Sequence, residues 1–574
     1  MKKTLSILLA LVLLAGVMPQ AAADTDFHHV TEMFYPFYLG SADMTLSDPY
    51  PVYFIDGAGD LPYVELNSWR EFMSVFYREI LEDEGYELIL SRNHAEAILT
   101  RENGWSMTLD FENDALFFDD YNAFIHASSD SALLDMLSMT GFNGAGQPEL
   151  FQRNTDSSFD RHGKTITLPL ADYGIHMVMN SGEYYVPLQT MNDFLLAPKG
   201  ANVLFNGRSL ILMFGDGLGN SEEGYTDLGE IYYSGFRMNR TPALADFSYG
   251  ELCLVMDHLY GLKENHDIDG FDQLFMDIGL KEGLLSTNPA VADQALNRFI
   301  EYYLDDLHST FNGFSYLTGK NESGEALGLS SRKFSRSYER YNTPRAEAYP
   351  EGIPAYEEVG DTAYITVDAF ESGDSGAYYA AGAENPISDT IGLVIYAHHR
   401  ITRDNSPIKN VVLDLSNNLG GDVDAALYVI SWFLGEAPFS VKDTFTGAQS
   451  TAIYRADVNL DRLFDENDTL TGKNLFCLIS PVSFSCGNLV PAVFKSSQRV
   501  TLLGSTSGGG SCTVLHLSTA YGTIFQISSP QRMSFMKNGS FYDIDQGIAP
   551  DYYINHIDNY YDRPALSEYI NSLF

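Results

Sequence analysis

Residues 411–421 read VVLDLSNNLGG, and residues 480–512 read SPVSFSCGNLVPAVFKSSQRVTLLGSTSGGGSC. The first is an apolar run that ends in Asn-Asn-Leu-Gly-Gly. A parallel strand buried on both faces has this pattern, and the two glycines free backbone N–H groups at its carboxyl end. The second gives a short strand from Asn474 to Ile479, a Ser/Gly-rich turn, and a helix-like run from Leu489 to Lys495. A serine at a strand-to-helix turn stands where a helix N-terminus and free amides stabilise an oxyanion. Two such junctions on neighbouring strands place a nucleophile beside an oxyanion hole.

Outward from this pair the alternation continues. Residues 362–368 (TAYITVD) read as a strand, 387–403 as a helix, 410–415 as a strand and 423–434 as a helix. Strands alternating with helices argue for an α/β unit with a largely parallel sheet. Residues 500–554 are β-rich and include TIFQIS at 523–528. Residues 241–316 are mostly helical. VADQALNRFIEYYL at 291–304 has apolar residues at helical spacing and leads into DDLHS at 305–309. Residues 317–358 are rich in Gly, Ser, Arg, Glu and Pro and read as an extended loop.

The N-terminal part holds an internal repeat. LPYVEL at 61–66 and EYYVPL at 183–188 each precede a helix-like stretch, 68–81 and 189–196. Each copy then alternates about an Asn-Gly turn, at Asn103-Gly104 and Asn206-Gly207, which is a hairpin signal. The expected organisation is a signal peptide (1–23), an α+β N-terminal region (24–215), a linker (216–240), a helical subdomain (241–345) and an α/β core (346–574). The fold class is multidomain α/β plus α+β.

Met1-Lys2-Lys3, an apolar stretch from Leu5 to Val17 and Ala21-Ala22-Ala23 form the pattern of a secretory signal peptide cleaved after Ala23. The expectation is a secreted protein, extracellular or in the cell envelope. No later stretch offers about 18 uninterrupted apolar residues, so no membrane span is expected after signal removal. Thirty-four basic residues against 77 acidic ones give a net charge of −43, which argues against nucleic acid and anionic membranes as partners. Thirty-six Tyr and 36 Phe are too many aromatics for a disordered chain. Cys253 and Cys477 lie in apolar runs and read as small core residues. Cys486 and Cys512 flank the serine turn, and the sequence leaves open whether they pair. As a rival nucleophile, Cys486 lacks a neighbouring cation to lower its pKa. His28 and His29 are adjacent and isolated, no metal-ligand spacing occurs, and the glycine loop at 504–510 lacks a P-loop lysine. No metal or cofactor is expected.

The order Leu-Asp-Leu-x-Asn-x-x-Gly-Gly, Ser-x-Ser, then Gly-x-Thr-x-Gly-Gly, spread over residues 290–555, resembles the C-terminal processing peptidases. That serine peptidase superfamily includes tail-specific proteases, the tricorn core and retinoid-binding-protein-like modules. The resemblance implies a ClpP/crotonase-like α/β peptidase core with a helical subdomain, and a polypeptide substrate. Residues 317–358 are too short for the PDZ module of many members. Laying Ser483-Phe484-Ser485-Cys486-Gly487-Asn488 on the family's Ser-Ala-Ser-Ala-Ser-Glu puts the nucleophile at Ser485.

The lysine that ends the glycine loop of tail-specific members is Gly510 here, and Lys495 is about three helical turns from Ser485. The tricorn-like branch uses a histidine in an Asp-x-His element after a helix, which Asp306-Leu307-His308 fits, so His308 becomes the general base. Asp545, preferred over Asp543, is the acid that orients it, just before the closing Gly547-Ile-Ala-Pro-Asp551. The oxyanion donors are the amides of Gly420 or Gly421 and of Cys486. His398 and His399 read as surface positions and His516 as packed. The expected function is a secreted serine endopeptidase working through an acyl-enzyme. The missing lysine keeps open an inactive peptidase-fold binding protein of the cell envelope. Residues 24–215 resemble copper-amine-oxidase-N-like modules of secreted bacterial proteins, a binding or spacer region through which cell-wall association remains a third reading.

Overall fold

The computed structural model describes residues 28–573 except 42, 82, 84, 127–131, 140–148, 216–224, 236–237, 321–325 and 385. The signal segment at 1–23 and part of the linker lie outside the described residues.

Six strands form the sheet that carries the serine turn. In spatial order they are β1 (Tyr356–Val359), β2 (Thr362–Thr366), β3 (Asn410–Asp414), β4 (Asn474–Ile479), β5 (Val500–Gly504) and β6 (Tyr552–Tyr553). β1 pairs antiparallel with β2, and every later pairing is parallel. Every residue of β2 and β3 is buried, as is all of β4 beyond Asn474. Burial on both faces is why these strands read as unbroken apolar runs. The helices that concern the site are α1 (Leu329–Ala348), α2 (Thr390–Thr402), α3 (Val423–Leu434) and α4 (Cys486–Ser497). α2 lies in the crossover from β2 to β3, and α4 in that from β4 to β5. α3 is buried from Asp424 to Leu434.

A second, antiparallel sheet stands beside the first. Its order is Thr310–Gly313, Ile524–Ser534, Ala437–Asp443, Gln449–Ala456 and Phe151–Arg161, with Cys512–Ser518 also paired to Ile524–Ser534. In the N-terminal region, Tyr63–Glu65 leads into a helix over Leu66–Val75 that continues as a π-helix to Ile80, and Glu183–Pro187 leads into Leu188–Met191 and a π-turn to Leu196. The two leading strands pair antiparallel with each other, so the repeated units share one sheet.

Three expectations are corrected. Residues 317–358 are not an extended loop, because α1 occupies twenty of them. Its buried stripe is thin, with only Tyr341 fully covered and Pro344 inside the helix, so the apolar periodicity that reveals a helix is nearly absent. The Asp305 carboxylate caps it, accepting from the N–H groups of Ser330 and Ser331. The linker contains a helix over Tyr225–Tyr233, whose Tyr232 is fully buried. His398 is not on the surface. It is 5% exposed and accepts a hydrogen bond from Trp432 Nε1 at 3.1 Å.

The carboxyl end of β3 is fixed by a buried ion pair. Asp414 and Arg563 meet at 2.7 Å, each almost fully shielded from water. The guanidinium also lies over the Tyr364 ring, 4.2 Å from its centroid. Removing one partner of such a pair strands a buried charge at a cost of about 3–5 kcal/mol. Arg563→Ala is therefore expected to lower unfolding free energy by that amount in urea titration. A loss under about 1 kcal/mol, the range of surface pairs, would show that the pair does not anchor β3.

Candidate active site

Ser485 sits between β4 and α4 with φ 56° and ψ −123°. A non-glycine residue in this region is strained, and such strain gathers at functional turns. The turn is held from both sides. The Ser485 N–H donates to the Gly509 carbonyl at 2.9 Å, and the Phe484 N–H to the Asn418 carbonyl at 3.0 Å. Beneath it, the Ser483 hydroxyl donates to the Leu415 carbonyl at 2.7 Å. The Ser485 side chain packs against Gly420, where a Cβ would come within 2.7 Å of the serine Cβ.

The two βα junctions do meet, as their glycines suggest. They differ in which amide is free. The Gly420 N–H donates to Asn418 Oδ1 at 2.8 Å, so it is spent within its own turn. Phe370 bridges Gly421, with the Phe370 N–H donating to the Gly420 carbonyl and the Asp422 N–H to the Phe370 carbonyl. Neither the Gly421 N–H nor the Cys486 N–H, in the first turn of α4, has an acceptor among the described residues. Of the two glycines offered as donors, Gly421 keeps a free N–H among the described residues and Gly420 does not.

His308 lies in the turn between a π-helix (Phe299–Leu304) and the strand Thr310–Gly313. That strand pairs with Ile524–Ser534, and Gln526 Nε2 donates to the His308 carbonyl at 2.7 Å. The imidazole is 4.5 Å from the Phe484 ring, centroid to centroid. Its position explains the missing lysine. A Cβ at Gly510 would stand 2.6 Å from the Phe484 ring and 3.1 Å from His308 Cε1, at φ +83°. The glycine leaves room for the histidine. The imidazole and the Ser485 hydroxyl are not hydrogen-bonded to each other or to any other described side chain. Catalytic hydrogen bonds of unliganded sites are often open in this way.

Burial lowers the pKa of His308 below the ordinary value, while the carboxylates of Asp306 and then Asp545 oppose that shift. Burial wins, which keeps the ring neutral and able to accept a proton. Asp545 Oδ1 accepts from the Ser511 N–H and hydroxyl at 3.1 and 3.0 Å. Asp543 is turned away: it is exposed and paired with Arg532 at 2.6 Å. Lys495 forms an ion pair with Asp551. Cys486 and Cys512 are free buried thiols. Burial, aided by Asp422, pushes the Cys486 thiol up to about 12, which leaves it a poor nucleophile.

Sequence reasoning missed Asp306 and Tyr260. The buried Asp306 accepts from the His308 N–H at 3.2 Å and from the Ser309 hydroxyl at 2.7 Å. Its signal was present, as the acid of the Asp-x-His element. Tyr260, 48 residues before His308, carried no signal; its hydroxyl meets His266 Nδ1 at 3.2 Å, and burial with Asp306, Cys512 and Asp545 raises its pKa. Among the described residues no His/Cys/Asp/Glu cluster could hold a metal ion. A cavity of about 580 Å³ opens past the end of β2, lined by Val367, Asp368, Glu371, Ile387, Leu393 and Tyr396 among others.

Residues 361–554 match the sequence model of Peptidase family S41, a family of serine-type peptidases, so the likeness to that family lies in this domain. A protein of Chlamydia pneumoniae is 34% identical over 97 residues, covering 15% of this chain and 13% of that protein. The chain thus spans only 13% of the curated relative it matches. Among solved structures, the photosystem II D1 C-terminal processing protease is 18% identical with a TM-score of 0.26, covering 35% of this chain and 45% of its own. Mature CPAF is 11% identical with a TM-score of 0.37, covering 56% and 94%. The likeness to the family rests on the domain match.

The electrostatics make a signed prediction. His308 is expected to titrate below the ordinary imidazole value of about 6.5 when followed by NMR. Asp545→Asn removes a charge that favours the imidazolium, so it should move the midpoint further down. A midpoint that stays put or rises would show that Asp545 does not face the ring.

Proposed function

We propose that the chain is a secreted serine endopeptidase with a ClpP/crotonase-like core, in which Ser485 is the nucleophile and His308 the general base. The observation that carries this reading is the strained serine at the head of α4, with the His308 imidazole and the Phe484 ring both crowding Gly510.

The chemistry follows from the parts. The Ser485 hydroxyl attacks the carbonyl carbon of a peptide bond while His308 takes its proton. The negative oxygen that develops is met by the N–H groups of Gly421 and Cys486, and the positive end of the α4 dipole adds to them. His308 then protonates the leaving amine as the acyl-enzyme forms. Water, activated by the same imidazole, releases the acyl group. Asp545 and Asp306 favour the imidazolium that appears in each step. The substrate is a polypeptide. Among the described residues no helix is long and apolar enough to cross a membrane, and the leader-like segment at 1–23 supports export.

Two measurements test the proposal. A fluorophosphonate probe should label the wild-type chain and leave Ser485→Ala unlabelled. His308→Ala should lower kcat/KM on an unfolded protein substrate by at least about 1,000-fold, with an acid limb in the wild-type pH profile below about pH 6.5. Labelling that persists in Ser485→Ala, or turnover indifferent to His308, would remove the assignment. A folded wild-type protein inert to both probe and substrate would favour the binding-protein reading.

A further inference from the structure

α1 carries a charge pattern at odds with the rest of the chain. The protein as a whole has 77 acidic and 34 basic residues. On the twenty residues of α1 stand Arg332, Lys333, Arg336, Arg340 and Arg345, against Glu339 and Glu347. Arg332, Arg336 and Arg340 follow one another at i, i+4, so they form a stripe along one face, with Lys333 beside it. All four residues are exposed, and none makes an ion pair or side-chain hydrogen bond with a described residue.

Helix stability does not account for the stripe. Like charges at i, i+4 weaken a helix, and cations near its first turn oppose the dipole. Only Arg345, outside the stripe, is used internally: it grips Asp368 through two bonds of 2.8 and 2.6 Å.

The position of α1 gives the stripe a context. Asp305, three residues before His308, caps its N-terminus. Phe334 packs on Phe484, next to Ser485, with ring centroids 5.8 Å apart. The Tyr341 hydroxyl reaches Ser505 Oγ at 3.2 Å, just past β5. Asp368, held by Arg345, lines the cavity beyond β2. The helix therefore crosses the carboxyl ends of the sheet, along the mouth of the proposed cleft, with its cations facing outward.

We propose that this stripe docks an acidic segment of the polypeptide substrate. The inference rests on the peptidase reading above. From Arg332 to Arg340 the stripe is about 12 Å long, the span of about four residues of extended chain. A patch this short on a strongly negative protein suits a local acidic tract better than a nucleic acid or a membrane surface, both of which the remaining charge repels. Charge pairing at an exposed rim steers encounter and choice of partner, which fits selection among substrates.

The test uses two peptides with one shared cleavable sequence, extended at either end by Asp-Glu-Asp-Glu or by Ser-Gly-Ser-Gly. At low salt the full chain is expected to prefer the acidic peptide by about tenfold in kcat/KM. The preference should shrink toward one near 0.5 M salt, where the Debye length falls to about 4 Å. It should also vanish in the combined variant R332Q, K333Q, R336Q and R340Q. The variant R332K, R336K and R340K should keep it, which separates charge from helix integrity. A wild-type ratio near one, or a preference that survives the glutamine variant, overturns the proposal.

Fluorescence anisotropy of the same peptides on Ser485→Ala asks the question without cleavage. Acid-selective binding that needs the stripe, together with a wild-type chain that turns over neither peptide, upholds the stripe and sinks the peptidase reading. Turnover without selectivity sinks the stripe alone. Stripe-dependent capture of anionic vesicles or of a second copy of the chain, with no selectivity between peptides, also overturns the proposal.

Discussion

The site depends on three backbone segments lying closer together than side chains would allow. The turn at Phe484–Ser485 is clasped between residues 418–421 and 508–510, with N–H···O bonds to Asn418 on one side and Gly509 on the other. A Cβ at Gly420 or Gly510 would collide with Ser485 in the first case and with Phe484 in the second, where it would also crowd His308. From this clasp follow the left-handed serine, the free amides of Gly421 and Cys486, and the imidazole lying against Phe484. The pairing of β3 with β4, and of β4 with β5, brings the three segments together. The Arg563–Asp414 pair holds the end of β3 from which the 418–421 turn departs.

Charge divides the molecule differently. Most of it is acidic, and at His308 burial outweighs the pull of the Asp306 and Asp545 carboxylates. The few basic residues are unevenly spent. Arg563, Arg532 and Lys495 each neutralise a named aspartate near the site, while the outward stripe of α1 neutralises none among the described residues. That contrast separates cations that build the fold from cations left for something outside it.

What could be read from the chain, and what could not, follows the range of the forces involved. β3, β4 and α3 were legible because burial on all sides writes itself into local apolar runs. Ser485 was legible because a strand-to-helix turn and its glycines are contiguous in sequence. α1 was not, because its apolar face is reduced to Phe334 and Tyr341, with Asp305 and Asp368 holding its two ends. His398 reads as surface until Trp432 is folded against it. The loss of the lysine at position 510 is visible in the sequence, but that His308, 202 residues away, lies beside Phe484 against that glycine is a fact of packing. The choice of Gly421 over Gly420 rested on one Asn418 side chain, and no periodicity encodes it.

The strand Phe151–Arg161 leaves the N-terminal region and joins the second sheet beside Gln449–Ala456, almost three hundred residues later in the chain. Its ladder partners do not exist until most of the polypeptide has been made. Until then an eleven-residue strand has unpaired edges, a state open to mispairing with other chains. Closing so large a loop also slows folding, since the entropy is lost before the contacts repay it. Synthesis order therefore matters for this protein: the first third waits for the last quarter, and the C-terminal half completes its second sheet only with a strand from the other end.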